Sequence, residues 1–100
     1  MGKKPTVIDL RGFLSFQILC ELGRKRLCGD DLAGIIGKRK AAKLTPGTIY
    51  PALKTLRRHK LIALTQHGRK KVYRLTSRGK KELHTARQIF RRSFHSLLSR

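Results

Sequence analysis

The feature of this sequence with the clearest chemistry is a long stretch of basic residues without acidic ones. Residues 32–81 contain fifteen Lys and Arg and no Asp or Glu, whereas four of the five acids lie within residues 1–31 and Glu82 is the fifth. A surface that serves only solubility usually mixes both signs, so a field of one sign favours a polyanionic partner that is bound through counterion release. Nucleic acid is favoured over an anionic membrane, because these residues do not form one amphipathic helix with aromatic anchors.

Two groups of residues inside this stretch are suited to contact DNA. Around a predicted helix start at Pro46, Lys and Arg can reach phosphates or guanine edges, and a Thr at a helix N-terminus suits a phosphate oxygen. A basic turn further on can enter or line a minor groove. The predicted DNA-binding residues are Thr45, Gly47, Thr48, Tyr50, Pro51, Lys54, Arg58, Arg69, Lys70 and Lys71.

Each group also has a simpler interpretation that the sequence leaves open. The helix residues can form an ordinary solvated face, and the turn can be charged only for solubility. For Tyr50, packing against the core is as well supported as a phosphate contact. The basic residues that precede the helix have backbone contacts or a solvated link as equal alternatives; they are Lys38, Arg39, Lys40 and Lys43.

Catalytic and metal-binding residues form no comparable pattern. The acids are scattered, there is no Gly-rich phosphate loop, and neither Cys20 nor Cys28 has an obvious His partner. The four His and two Cys lack metal-ligand spacing. We therefore expect a binding protein that is not an enzyme and uses no metal and no cofactor, and we leave a small-molecule effector open.

The size of the chain limits the architecture that can position these residues. It has 100 residues, 39% of them hydrophobic, and a formal charge of +20, which is enough for one domain with one core. No apolar run approaches the ~18–20 residues of a membrane span, and no signal peptide opens the chain. Two cysteines outside a CxxC spacing suit a reducing compartment, so we expect a cytoplasmic, nucleoid-associated protein.

Hydrophobic periodicity predicts a mainly helical chain with a small β-hairpin. Residues 1–9 form a basic arm, and the first helix, which Gly23 is expected to end, is apolar around most of its circumference and so needs cover on more than one side. In so small a protein this need indicates a second subunit. The predicted helices cover about residues 10–22, 30–37, 46–59 and 77 almost to the end, and the strands cover 61–65 and 71–75, joined by a turn at 66–70.

The third helix has the most distinct pattern. Thr45 as a cap and Pro46 at the first helical position are typical of a helix start. One side is apolar and is expected to face the core, and the other is formed by small or basic residues. The predicted core side comprises Ile49, Ala52, Leu53 and Leu56, and the opposite side comprises Gly47, Pro51, Lys54 and Arg58. Together with the helix before it, this element makes a helix-turn-helix pattern.

The last helix carries a stripe of apolar residues that the rest of the protein is too small to cover. The stripe is Leu83, Ala86, Phe90, Phe94 and Leu97. Three helices and a hairpin already close one core, so we expect this stripe to pair with its two-fold mate in a homodimer.

The order of elements and two motifs resemble one known family. Helix–helix–helix–hairpin–helix is the order of a winged-helix domain. The run from Leu44 to Leu53 (LTPGTIYPAL), followed by Leu56, resembles the recognition-helix signature of PadR-like transcriptional regulators, and the run from Gly68 to Gly79 (GRKKVYRLTSRG) is similar to their wing. The resemblance covers about residues 10–85.

This resemblance implies a winged helix-turn-helix protein with a C-terminal dimerisation helix, which binds operator DNA as a homodimer. The third helix would lie in the major groove and the wing on the backbone or in the minor groove. The implied units are the arm at 1–9, a DNA-binding domain at 10–76 and a dimerisation helix at 77–100.

Three departures from the family pattern affect the expected function. Arg57 to Lys60 (RRHK) stands where the family carries acids and a Gly, Gly29-Asp30-Asp31 replaces Gly-Tyr-Glu, and there is no Trp, which drug-binding members use. The first change adds positive charge beside the DNA-facing side and increases non-specific binding. An architectural, nucleoid-type DNA-binding protein is therefore the main alternative, followed by an RNA- or ribosome-associated protein.

Overall fold

The computed structural model describes residues 10–40 and 46–99, which form four helices and three strands. The predicted basic arm, Lys43 and Thr45 lie outside these residues. The mainly helical fold with a small antiparallel sheet is confirmed. The elements are α1 (Leu10–Arg24), β1 (Leu27–Cys28), α2 (Gly29–Lys40), α3 (Pro46–Arg58), β2 (Ile62–His67), β3 (Lys70–Leu75) and α4 (Ser77–Leu98).

The sheet contains one strand that the sequence pattern did not predict. Its order is β1-β3-β2, with all pairs antiparallel, and Leu27 of β1 pairs with Tyr73 of β3. The hairpin is also longer than predicted, because His67 pairs with Lys70 and only two residues remain for the turn. The predicted five-residue turn was wrong, since the outer ends of both strands are polar and exposed and show no hydrophobic alternation.

The core is formed by the first three helices together with the inner part of the sheet and the start of α4. Its largest fully buried side chains are Ile18, Leu32, Ile36, Ile49 and Leu53. α1 packs against α2, α3, β3 and α4 of its own chain. Much of the apolar surface of α1 is therefore covered within one protomer, while Phe13, Phe16 and Cys20 stay half-buried. The expected second subunit stays a prediction.

Two helix boundaries differ from the sequence prediction. Gly23 lies inside α1, which continues to Arg24; a Cβ at Gly23 would come within 2.9 Å of Leu83 Cδ2, so this glycine allows close approach of α1 and α4. α2 continues to Lys40, so Lys38, Arg39 and Lys40 are helical rather than a link.

The end of α3 has a tight turn with an unusual residue. The Lys60 amide donates to the Arg57 carbonyl and the Leu61 amide to the Leu56 carbonyl, which together form a Schellman motif. The residue in the left-handed region of this motif, usually Gly, is Lys60, with φ 62°. The motif directs the chain from α3 into β2 within three residues.

Thr76 fastens the start of α4 to this same turn. Its hydroxyl donates to the Lys60 carbonyl (2.7 Å) and accepts from the Gly79 amide (3.0 Å), and its own amide donates to the Leu61 carbonyl (3.1 Å). Gly79 packs so closely that a Cβ there would collide with the Leu61 carbonyl oxygen. In the described part of the chain, no helix is long and apolar enough to cross a membrane.

Candidate nucleic-acid interface

Helix α3 separates its core side from its solvent side as the sequence pattern predicts. Ile49, Leu53 and Leu56 are buried, and Ala52 is half-buried. All predicted contact residues of α3 that the structure describes are exposed; they are Gly47, Thr48, Tyr50, Pro51, Lys54 and Arg58. At 3.6 residues per turn, Gly47, Pro51, Lys54 and Arg58 lie on the side opposite the core.

The solvent side of α3 carries small side chains at its N-terminal end and basic side chains further along. Pro51 is the sixth residue of the helix and has no amide hydrogen, so the Gly47 carbonyl loses its ordinary helical partner. Neither residue has a long side chain, which permits close approach of another molecule to the backbone. Lys54 and Arg58 follow at intervals of three and four residues and extend from the same side.

Tyr50 connects α3 to the start of α2. Its hydroxyl donates to Asp30 Oδ1 at 3.4 Å, and a Cβ at Gly29 would come within 2.6 Å of that hydroxyl oxygen. Partial burial, and secondly the Asp30 carboxylate, raise the pKa of Tyr50, which keeps the hydroxyl protonated and able to donate. The ring stays 39% exposed. Tyr50 thus fixes how α3 sits against α2, a role that the sequence did not reveal because its partners lie twenty residues away.

The hairpin presents the second group of basic residues. Arg69, Lys70 and Lys71 are exposed at and beside the turn. Gly68 takes the left-handed conformation (φ 62°) that a two-residue turn needs, and Gln66 Nε2 donates to the Gly68 carbonyl at 3.0 Å. The turn is therefore held at the end of a paired ladder, and α3 packs against β2 at the base of the same hairpin.

None of the acids of the described residues lies on α3 or the hairpin, although Asp30 of α2 accepts the hydrogen bond from Tyr50. Asp30 and Asp31 occupy the first turn of α2, where negative charge is favourable, and Glu21 is buried in α1. The hairpin and α3 carry no acid, so their field is of one sign. Arg57 and Lys60, from the basic run Arg57 to Lys60, are exposed at the end of α3 and add to this field.

The predicted dimer stripe of α4 divides into two halves. Leu83 is buried in the core of its own protomer, which leaves it almost no surface for a second chain. Ala86 and Phe90 are half-buried, and the ring of Phe90 stacks on Phe16 of α1 with centroids 4.3 Å apart. Only Phe94 and Leu97 remain largely exposed, at 49% and 71%, with Ile89 and Leu98 as further exposed apolar residues.

Among the side chains that the structure describes, no group of three or more His, Cys, Asp or Glu is placed to hold a metal ion. Cys20 and Cys28 are free and half-buried.

Comparisons with known proteins agree with this geometry. The model of the transcriptional regulator PadR-like family matches residues 18–85. A protein from Thermoplasma acidophilum, described as a transcriptional regulator, is 29% identical over 91% of this chain and 95% of its own, with a TM-score of 0.72. A PadR family transcription regulator from Clostridium difficile is 26% identical over 85% of this chain and 96% of its own, with a TM-score of 0.71.

A third similar structure contains DNA. It is the PadR protein of Bacillus subtilis in complex with operator DNA, which is 33% identical over 72% of this chain and 45% of its own, with a TM-score of 0.62. The search of curated proteins found no match.

Proposed function

Because the chain belongs to the PadR-like family of transcriptional regulators, we propose that it regulates transcription by binding duplex DNA through α3 and the hairpin β2–β3. The observation that carries this proposal is the composition of these two elements: their exposed residues are basic, small or polar, and none is acidic. The operator complex of the Bacillus relative supports DNA as the partner.

In this proposal the two elements have different tasks. The small side chains of Gly47 and Pro51 let the N-terminal end of α3 enter a major groove. Lys54 and Arg58 then reach base edges or phosphates. Arg69 and Lys70 at the hairpin turn contact backbone or minor groove. Thr45, which lies outside the described residues, stays a predicted DNA contact, and Tyr50 acts by fixing the helix against α2.

We further propose that the protein acts as a homodimer built on α4. Phe94 and Leu97 are exposed apolar residues on the side of α4 that carries Phe90, and a second copy would cover them in an isologous contact. Two copies of α3 related by the same axis can meet successive major grooves about 34 Å apart. We also propose a cytoplasmic, nucleoid-associated location, because the proposed partner is chromosomal DNA, and a regulatory and not an enzymatic role, because the family is one of transcriptional regulators.

The alternative is an architectural DNA-binding protein with little sequence preference. The observation that favours it is the formal charge of +20 per chain, which gives +40 per dimer and strengthens binding to any duplex. Both functions use the same surface and differ in how much affinity depends on sequence.

A genome-wide binding profile followed by a competition assay tests the proposal. We expect a few sharp sites, and a labelled duplex carrying one of them should resist displacement by an equal mass of random DNA. Broad coverage, with random DNA as effective as the unlabelled site, would establish the architectural function. Stronger displacement by RNA than by any duplex would overturn both.

A further inference from the structure

Helix α4 carries a row of basic side chains that the proposed DNA interface does not use. They are spaced by four, three, four and four residues, so they follow one side of the helix over about 22 Å at 1.5 Å per residue. All are exposed. We name this row the α4 basic stripe; it comprises Lys80, His84, Arg87, Arg91 and His95.

The stripe has no neutralising partner in the described part of the chain. The single acid of α4, Glu82, lies about 180° around the helix from Arg91 at 100° per residue. Like charges four residues apart, such as Arg87 and Arg91, destabilise a helix by a few tenths of a kcal/mol. A bound polyanion would remove this repulsion.

The stripe is separate from the surfaces already assigned. α4 packs against α1 and β3, whereas α3 packs against α1, α2 and β2. The stripe is centred about a quarter of a turn around α4 from the side that carries Phe94 and Leu97, the residues of the proposed dimer contact. Pairing through those residues therefore leaves the stripe beside the contact, with Arg87 nearest to Phe94.

We infer that the α4 basic stripe binds the phosphates of a second DNA duplex, so that the protein bridges two duplex segments. The inference rests on the proposed function, because the first duplex is held by α3 and the hairpin. Lys80, Arg87 and Arg91 carry the formal charge of the stripe at pH 7, since His is counted as neutral. A rigid duplex laid along the stripe presents a dense row of opposite charges, about one per 1.7 Å of its axis.

The chemistry of the stripe favours a duplex over the other polyanions. Binding of single-stranded RNA or DNA relies on aromatic side chains on which bases stack. Of the aromatic residues of α4, Phe90 lies about 100° around the helix from the centre of the stripe and Phe94 lies at its edge. Their rings pack against one another with centroids 5.4 Å apart. Arg87 and Arg91 present guanidinium groups, which bind phosphate through two parallel hydrogen bonds.

A capture experiment with the full chain tests the inference. A biotinylated 30-base-pair duplex is loaded with protein on beads, and retention of a fluorescent duplex of unrelated sequence is measured. The test variant is Lys80→Gln/Arg87→Gln/Arg91→Gln. The matched control, Lys80→Arg/Arg87→Lys/Arg91→Lys, keeps the charge.

We expect the wild type and the control to retain the second duplex. The test variant should bind the first duplex normally but lose affinity for the second by about eightfold per lost contact at 0.1 M salt. Retention of the second duplex by the test variant, no retention by the wild type, or retention of single-stranded RNA in preference to duplex would each overturn the inference.

The same experiment separates failure of this inference from failure of the proposed function. The variant Arg69→Ala/Lys70→Ala should weaken binding of the first duplex while the stripe is intact. If it does not, the proposed interface on α3 and the hairpin is wrong, whatever the stripe binds.

Discussion

At the scale of single residues, Lys60 adopts a backbone conformation that is unfavourable for its residue type. It occupies the left-handed position of the turn after α3 (φ 62°), which for a residue with a Cβ costs about 1–2 kcal/mol. We expect Lys60→Gly to raise the free energy of unfolding by about 1 kcal/mol, measured by urea denaturation. The control Lys60→Ala removes the same charge and keeps the Cβ, so it should give no such gain; equal effects would mean that charge, not backbone strain, is responsible.

Lys54 and the hairpin residues should differ in how their loss affects DNA binding. Arg69→Ala and Lys70→Ala should weaken binding to every duplex by similar factors, because phosphate contacts carry no sequence information. Lys54→Ala should instead reduce the preference for the best site by about 1–3 kcal/mol at one base pair. Affinities for one site and its point variants measure the difference. Equal weakening for all sequences would make Lys54 a phosphate contact and favour the architectural function.

At the scale of elements, the contact between α2 and α3 is predicted to affect DNA binding more than stability. In Gly29→Ala, the new Cβ would displace Tyr50, whose exposed ring can move, and would break the hydrogen bond to Asp30. We expect a two- to tenfold loss of DNA affinity, which corresponds to about 0.5–1.5 kcal/mol for one hydrogen bond. Fluorescence anisotropy measures the affinity, and thermal melting should change little.

A second glycine of α2 provides the matched control for this prediction. No atom lies within 4 Å of a Cβ built on Gly34, so Gly34→Ala should stabilise the helix by about 0.5–1 kcal/mol and leave DNA affinity unchanged. Tyr50→Phe should reproduce the loss seen in Gly29→Ala. If both Gly29→Ala and Tyr50→Phe bind DNA like the wild type, Tyr50 does not position α3.

The elements that sequence patterns predicted well are those in which apolar residues repeat at regular spacing over many residues. The core side of α3 was predicted because Ile49, Leu53 and Leu56 repeat at helical spacing. The two-residue β1 has too few residues to show a period, and the outer part of the hairpin is polar on both faces. The predicted dimer stripe of α4 is divided into a covered and an exposed half according to which of its residues α1 covers. This depends on tertiary packing, which the pattern of a single helix does not reveal.

At the scale of the whole molecule, the binding of duplex DNA should depend strongly on salt. If each protomer neutralises about 4–5 phosphates, log K against log[salt] should have a slope of roughly −7 to −9 for a dimer, at about −0.9 per phosphate. Titrations at several KCl concentrations give this slope. Affinity that does not change with salt would remove the electrostatic basis of the proposed interface.

The oligomeric state is the second property of the whole molecule that can be tested. Phe90 already packs on α1, so a test of dimerisation should change only the exposed residues. We expect Phe94→Ser/Leu97→Ser to sediment as a monomer, since each lost apolar burial removes about 1.5–3 kcal/mol. The control Phe94→Leu/Leu97→Met keeps the apolar surface and should remain dimeric. A wild-type monomer at micromolar concentration, or a dimeric serine variant, would contradict the proposed homodimer.

The bonds of Thr76 have a consequence for the distance between two bound half-sites. One residue separates β3 from α4, and its hydroxyl and amide are bound to Lys60, Leu61 and Gly79. These bonds join the hairpin, the end of α3 and the start of α4, and they leave no unbonded residue at this connection to act as a hinge. A dimer built on α4 would therefore hold its DNA-binding elements at a fixed spacing. One extra base pair between half-sites turns the second half-site by about 35° around the duplex axis, and the connection between β3 and α4 offers no hinge to compensate for this rotation.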